Sequence, residues 1–321
     1  MLEGRRGILL TGLVVAGLLV LPLVVDNDKT LTIAILAFII AALAASWNIV
    51  GGFAGQISLG HAAFFGIGSL VTRLLWLEGL PLVLSILASG LAAALTAFIL
   101  GFPGLRLKGI YFAIGTLALA EAIRITVNNQ FPRVSALPAV ALREYSLVSR
   151  YYFSFGVLLL ASAVSYWLTR SKLGLGMLSV REDEDAAQAI GVNAFRHKLA
   201  AFTISAVLAG LAGSSFAYFH VSYYPSLAFS PEWTFDALIV TFVGGVGTVV
   251  GPLLGAIFFV LIRDVLAANL AGIHLLIFGI LFVMVVLLLP GGMVEAWDRY
   301  RARRRPLGLD VKLTRPPKEE D

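Results

Sequence analysis

Long apolar runs separated by short polar segments dominate the sequence. Ten runs are long enough, or nearly long enough, to cross the hydrocarbon core of a bilayer as helices, which takes about 20 residues. They cover residues 7–25, 31–50, 61–77, 80–102, 109–127, 151–169, 199–219, 235–250, 252–268 and 272–289. The runs lack the alternating apolar and polar positions of a transmembrane barrel strand, so we predict helices. The third, eighth and ninth runs are short or interrupted by glycine, which leaves their boundaries open.

Composition and charge narrow the class of protein. Hydrophobic residues make up 59% of the 321 residues and charged residues only 13%, roughly half of the charged fraction in a soluble domain. So few charges exclude a soluble enzyme, a nucleic-acid-binding domain and a disordered chain. We therefore expect an all-α fold: a polytopic helical membrane protein with about ten transmembrane helices, surrounded by the lipid bilayer and binding no nucleic acid. The chain has no cysteine, which also excludes disulfides and thiolate metal sites.

The placement of the basic residues predicts the orientation of the chain. Charged residues concentrate in residues 170–198 and 298–321. With both termini in the cytoplasm, most Lys and Arg lie on the cytoplasmic side, as the positive-inside rule requires. Three further loops, near 50–60, 103–108 and 244–251, are then cytoplasmic too. We expect two parts: a transmembrane domain, 1–298, that includes the cytoplasmic loop at 170–198, and a basic polar cytoplasmic tail, 299–321, that is disordered.

The cytoplasmic loop carries the most informative local pattern. Ser179-x-x-Glu182 matches a capping box, which predicts that a helix starts there. Acidic residues at 182–185 suit the positive end of the helix dipole. Gly191 then supplies a C-terminal stop, so we predict a helix of about ten residues. Such a short helix, with a small alanine surface and no membrane around it, is suited to docking into a partner.

The spacing Asp185-Ala186-Ala187-x-x-x-Gly191 resembles the EAA-x-x-x-G signature of ABC-importer permeases, with Asp in place of Glu. In that family the short helix rests in a groove on the ATPase subunit and transmits its movements. The resemblance implies an ATPase-coupling role for Arg181, Glu182, Asp185, Ala186, Ala187 and Gly191. A solvated acidic loop with no partner is the alternative interpretation. The proline that the family places further on is missing here.

Two apolar segments, 48–70 and 244–259, are unusually rich in glycine, and each has a Gly-Gly pair at or near its start, at 51–52 and 244–245. Their similarity hints at an internal repeat. Glycine-interrupted segments in two halves of a chain often mark a transport site, although glycine can also serve helix packing alone. Polar side chains inside such segments are costly against lipid and therefore favour a protein or pathway environment. Candidate pathway residues are Gln56, Ser58, His61, Glu121, Gly244, Gly245 and Gly247.

Glu121 also has a plainer interpretation. It lies one turn before Arg124 in the fifth run, and residues at this spacing pair on one helix face. Two interpretations of the pair are open. It is a polar point or a gate on the pathway, or it is an ion pair that fixes helix packing. We favour packing, because a zwitterionic substrate moved by alternating access needs no buried proton relay.

Four motifs in order extend the resemblance over most of the chain, to the permease subunits of branched-chain amino acid ABC importers. The motifs cover 51–69, 104–124, 181–202 and 244–256. The resemblance implies a second homologous permease subunit, two ATPase subunits and an external substrate-binding protein as partners. It also implies a multi-pass location in the bacterial inner (plasma) membrane. ATP and magnesium are expected on the partners, and no cofactor on this chain. The outer segment 128–150 departs from the glycine-rich stretch usual in the family.

No enzymatic motif is present. The sequence contains no HExxH, no GxSxG and no phosphate-binding GxxxxGK[ST], so we expect a transport subunit with no catalytic or metal-binding residues. The predicted function is ATP-driven import of branched-chain or other apolar amino acids. One alternative keeps the fold and imports urea or short amides. A second is an ion-coupled carrier or channel without an ATPase, for which Glu121 is the best candidate for an essential acid.

Overall fold

The computed structural model describes residues 5–25, 27–131, 137, 139–143, 145–269 and 291–304, together with isolated positions between 273 and 287. These residues form helices and connecting loops, and no strand occurs among them. The prediction of an all-α fold is confirmed. Five helices are long and apolar enough to cross a bilayer by length and composition, and they cover Asp28–Phe53, Leu82–Gly104, Ile110–Gln130, Leu147–Arg170 and Ala194–Phe219.

We number the described helices in chain order. They are α1 (Arg5–Val24), α2 (Asp28–Asn48), α3 (His61–Leu77), α4 (Leu82–Gly104), α5 (Ile110–Gln130), α6 (Ala139–Arg143), α7 (Leu147–Arg170), α8 (Lys172–Glu182), α9 (Glu184–Ala189), α10 (Ala194–Phe219), α11 (Pro225–Ala228), α12 (Glu232–Gly244), α13 (Gly251–Asn269) and α14 (Gly292–Arg304). A π-helical turn, Ile49–Phe53, extends α2.

The first nine apolar runs coincide with described helices. The eighth run is shorter than predicted, because α12 ends at Gly244 and a loop follows over residues 245–250. Most of the tenth run, at 272–289, lies outside the described residues. Helix α14 continues past residue 299, where we placed the start of the tail, and residues 305–321 lie outside the described part of the chain.

Helices α2, α3 and α10 form the centre of the molecule. The run Ala41–Ala45 in α2 is buried throughout. Helices α3 and α10 approach closely at glycines: a Cβ added to Gly68 would lie 2.1 Å from the Gly210 carbonyl oxygen, and one added to Gly213 would lie 2.0 Å from that of Phe65. Small residues allow this approach, and packing of this kind holds membrane helices together. Helices α4 and α5 lie at the periphery, with most of their apolar residues exposed.

Two buried arginines hold the end of α10 opposite the loop at 170–198. Arg73 donates to the carbonyl oxygen of Val221 at 2.6 Å, and Arg150 donates to that of Tyr218 at 2.9 Å. Carbonyl groups at a helix C-terminus lack backbone partners and carry partial negative charge, so guanidinium donors stabilise them. These contacts fix the connection between α10 and α12.

Candidate coupling and translocation site

The helix predicted in the charged loop forms, but it begins later than expected. Asp183 caps α9, and its Oδ1 accepts hydrogen bonds from the backbone N–H groups of Asp185 and Ala186, both at 2.9 Å. The predicted start at Ser179 is wrong. Ser179 lies inside α8, and its hydroxyl donates to the Leu175 carbonyl oxygen at 3.0 Å, a contact typical of a serine in a helix interior.

Helix α9 is therefore six residues long and is stopped as predicted. Gly191 has a φ of +89°, in the region that favours glycine, and the chain turns there into α10. Ala187 packs against Val180 and Ala194, so this alanine faces the protein rather than a partner. Ala186 is exposed, and next to the stop the side chain of Ile190 is 78% exposed. The exposed surface of α9 is partly apolar.

Two charge pairs attach α9 to the rest of the molecule. Lys198 of α10 is only 2% exposed, and its Nζ lies 2.5 Å from Oε2 of Glu184. Asp185 pairs more loosely with Lys108, at 3.7 Å between Oδ1 and Nζ, and both side chains are exposed. Buried pairs with good geometry resist disruption far more than exposed ones. The Glu184 contact is thus the main polar anchor of α9.

An open groove of about 580 Å³ separates α9 from the loop that follows α4. Arg106 and Lys108 line one side of it, and Gln188 and Asn193 line the other. The groove brings together two of the loops predicted to be cytoplasmic, 103–108 and 170–198.

The two glycine-rich segments meet each other. The side chain of Asn48, which is fully buried at the end of α2, accepts a hydrogen bond from the N–H of Gly247 at 2.7 Å. Its amide nitrogen donates to the carbonyl oxygen of Thr248 at 2.8 Å. The backbones are so close that a Cβ added to Gly52 would lie 2.7 Å from the nitrogen of Gly247. We call Asn48, Gly52, Gly247 and Thr248 the glycine junction.

Arg181 of α8 reaches the glycine junction from the charged loop. Its Nη1 donates to the Gly52 carbonyl oxygen at 2.6 Å. Gly247, with a φ of +76°, passes beside the guanidinium group, where a Cβ would lie 2.7 Å from Nη1. The loops near 50–60, 170–198 and 244–251 therefore lie at one end of the molecule.

The other residues of the predicted pathway lie around this junction in the chain. Gly244 ends α12, and Gly245 is buried and has a φ of +132°. Ser58 and His61 are fully buried at the start of α3, with the Ser58 hydroxyl 3.3 Å from Nδ1 of His61. Gln56 is partly exposed in the loop before them.

Glu121 lies on α5 and pairs with Arg124, as the spacing predicts. Two hydrogen bonds join the carboxylate to the guanidinium, one of them 2.7 Å from Nε to Oε2. Both side chains are about one-third exposed, on a helix that otherwise packs loosely against its neighbours. The ion pair satisfies both charges within one helix.

Sequence reasoning missed the role of Asn48 and Lys198. Their polar side chains within or beside apolar runs could have indicated these roles, because a polar side chain inside a membrane protein needs a partner and is seldom placed against lipid.

Glu182 and Arg181 are neighbours with a long contact of 3.9 Å, and Glu182 is exposed. Of the predicted coupling residues, Ala187 is buried against Val180 and Ala194, and the others are exposed. Arg181 is one of the exposed residues, and its guanidinium also donates to the Gly52 carbonyl oxygen.

The fold and the family relationship define a multi-pass membrane transport protein. The family model described as "Branched-chain amino acid transport system / permease component" matches residues 29–287, so the chain belongs to this family of ABC-transporter permeases. Its permease subunits are transport proteins rather than enzymes. No solved structure matches the chain.

Curated relatives agree with this assignment. The chain is 33% identical to the high-affinity branched-chain amino acid transport system permease protein LivM of Escherichia coli K12, over 83% of this chain and 70% of that protein. The corresponding protein of Salmonella typhimurium LT2 is 32% identical, over 82% and 69%. The autoinducer 2 import system permease protein LsrC of Klebsiella pneumoniae is 28% identical, over 51% of this chain and 49% of that protein.

Proposed function

We propose that the chain is a permease subunit of an ATP-driven importer and moves branched-chain or other apolar amino acids by alternating access. It resides in the bacterial inner membrane with about ten transmembrane helices and both termini in the cytoplasm. A second homologous permease, two ATPase subunits and an external binding protein complete the complex. ATP and magnesium bind to the ATPase subunits, and this chain carries no cofactor.

The observation that carries the proposal is the convergence of the charged loop on the glycine junction. Helix α9 presents an exposed apolar residue, Ile190, toward the outside of the molecule. From the same loop, Arg181 binds Gly52. A partner that docks on α9 and moves it therefore has a direct connection to the broken helices of the membrane domain.

The peripheral helix α5 supports a second permease subunit. Its exposed face carries the Glu121–Arg124 pair, which is costly against hydrocarbon even when both charges are satisfied. In the complete importer this face borders the second permease or the pathway between the two subunits.

The identity of the cargo rests on the relatives. The two relatives at 32–33% identity are named for branched-chain amino acid transport, which favours an apolar amino acid. The shorter match to autoinducer 2 permeases indicates that related chains carry other cargo. Urea and short amides are therefore included as competitors in the uptake experiment described next.

Uptake by a reconstituted complex distinguishes these cargoes. Proteoliposomes that contain the chain, its second permease, the ATPase subunits and the binding protein should accumulate labelled leucine when ATP is present. Unlabelled isoleucine and valine should compete, and urea should not. Competition by urea alone would contradict the assigned cargo.

Glu121→Gln separates the importer from an ion-coupled carrier in the same vesicles. The importer should retain most of its ATP-driven uptake, because the carboxylate pairs with Arg124 of the same helix and alternating access needs no proton relay there. A carrier that uses Glu121 as its essential acid would lose uptake altogether. Thr126→Ala, on the exposed part of the same helix, is the matched control.

A further inference from the structure

The family resemblance implies an ATPase-coupling role for Arg181, but the side chain of this residue contacts another part of the same chain. The stem lies against Gly55, where an added Cβ would be 3.0 Å from Cγ of Arg181. The guanidinium continues inward and donates to the Gly52 carbonyl oxygen. The side chain remains 37% exposed and extends along the turn that follows α2.

The Gly52 carbonyl is available because the helix changes its hydrogen-bonding pattern there. In the π-helical turn the N–H of Ala54 donates to the Ile49 carbonyl oxygen at 3.2 Å, and the N–H of Gln56 donates to that of Val50 at 2.9 Å. The backbone then leaves the helix toward α3. Arg181 supplies a charged donor at this break, and hydrogen bonds with a charged partner are stronger than neutral ones.

The second glycine segment meets the same guanidinium. A Cβ added to Gly247 would lie 2.7 Å from Nη1 of Arg181, so the guanidinium lies beside the backbone of this glycine. Asn48 binds Gly247 and Thr248 from the other side. One arginine of the charged loop therefore contacts both broken segments at the point where they are joined.

We propose that Arg181 is a positioning residue that transmits the motion of α8 and α9 to the glycine junction. This inference rests on the proposed function. In the state described here Arg181 holds Gly52 beside Gly247. When the ATPase subunits displace the charged loop, the contact lengthens past hydrogen-bonding distance, and the hydrogen bonds of Asn48 to Gly247 and Thr248 are left to hold the two segments together. Only a small displacement is needed, since a hydrogen bond weakens steeply beyond about 3.5 Å, and π-helical turns often mark functional sites.

The test uses the complete complex and compares three variants. Arg181→Ala removes the contact. Arg181→Lys keeps a charged donor on a long stem. Arg196→Ala removes an exposed arginine from the first turn of α10, on the same side of the molecule, and serves as the matched control. The measured quantities are leucine taken up per ATP hydrolysed, and the amount of ATPase that co-purifies with the permease.

We expect Arg181→Ala to lower uptake per ATP by about tenfold, the upper part of the range for residues that carry coupling between sites. ATPase co-purification should be unchanged, and Arg181→Lys should restore most of the ratio. Arg196→Ala should match the wild type. If Arg181→Ala does not accumulate in the membrane, Arg181→Gln is measured in its place, since its shorter side chain also fails to reach Gly52.

The two proposals fail in different ways. A wild-type complex without ATP-dependent uptake defeats the proposed function. A wild-type complex that transports, together with an Arg181→Ala complex of equal uptake per ATP, overturns the inference about Arg181. Loss of ATPase binding in Arg181→Ala overturns it too, because the residue would then serve docking. Failure of Arg181→Lys to restore any coupling also counts against it.

Discussion

At the scale of single residues, Asn48 holds the glycine junction together. Its amide is fully buried and binds one donor and one acceptor of the opposite segment. Because an amide inside a membrane protein is costly without partners, this side chain specifies one arrangement of the two segments. Leucine would fill the space, but the N–H of Gly247 and the carbonyl oxygen of Thr248 would lose their hydrogen bonds to residue 48.

Asn48→Leu should therefore destabilise the protein. We expect a loss of about 2–4 kcal/mol in the free energy of unfolding, since each buried polar group left unpaired costs about 1–3 kcal/mol. Denaturant titration in detergent micelles measures this loss. Asn129→Leu, at an exposed position of α5, is the control and should change the value little. Equal stability of both variants would show that Asn48 does not fasten the junction.

Gly191 acts through its backbone conformation. A Cβ at this position would meet no atom within 4 Å, so the strain of a substitution comes from its positive φ of +89°. Valine should distort the turn after α9 at a cost of about 1–2 kcal/mol. The rest of the fold should tolerate this change.

The Gly191→Val complex should hydrolyse ATP and assemble, but take up less leucine per ATP than the wild type. Gly104→Val is the control, because it adds the same side chain in equally open space at a residue without a positive φ. Parallel measurement of hydrolysis and uptake in vesicles checks the prediction. Normal uptake per ATP in Gly191→Val would contradict the proposal that α9 couples ATP hydrolysis to transport.

At the scale of elements, the ion pair between Glu184 and Lys198 is the main polar contact that attaches α9. Lys198 is nearly inaccessible, and removing Glu184 would leave its charge unpaired. Breaking a buried pair costs more than removing both charges together, because the remaining charge is not compensated.

A double-mutant cycle measures this attachment. Glu184→Gln and Lys198→Met should each destabilise the protein, and the double variant should lose less than the sum, by about 1–3 kcal/mol. The exposed pair Asp185–Lys108 provides the comparison, and its cycle should give less than about 1 kcal/mol. Strict additivity at Glu184 and Lys198 would mean that α9 is held by packing alone.

The charged loop shows what sequence patterns resolve and what they leave open. Gly191 and the acidic cluster correctly predict a short helix with a glycine stop. The predicted start of this helix at Ser179 is wrong because the side chains of Ser179 and Asp183 can both cap a helix N-terminus, and local spacing does not decide between them. The competition is settled by tertiary contacts: Ser179 stays in α8, whose last turn must deliver Arg181 to Gly52.

At the scale of the whole molecule, the apolar runs predict most of the long helices in the described part of the chain, because an apolar helix leaves a continuous signal in the sequence. The same signal predicts little of their packing. Each glycine-rich segment alone is compatible with a pathway or with packing, and the contacts of Asn48 and Gly52 with Gly247 join them into one feature. These contacts link residues almost 200 positions apart, beyond the reach of local spacing.

The convergence of four loops also connects orientation with function. Loops 50–60, 103–108, 170–198 and 244–251 are predicted to share one side of the membrane, and contacts such as Lys108–Asp185 and Arg181–Gly52 place them at one end of the molecule. If this end is cytoplasmic, the ATPase subunits have access to α9 and to the groove beside it.

The most direct test of the account is the dependence of uptake on the partner ATPases. Leucine uptake is measured in proteoliposomes with both permease subunits and the binding protein, first without and then with the ATPase subunits and enclosed ATP. The account predicts accumulation only when both ATPase subunits and ATP are present. Accumulation by the permeases alone, driven by an ion gradient, would contradict it.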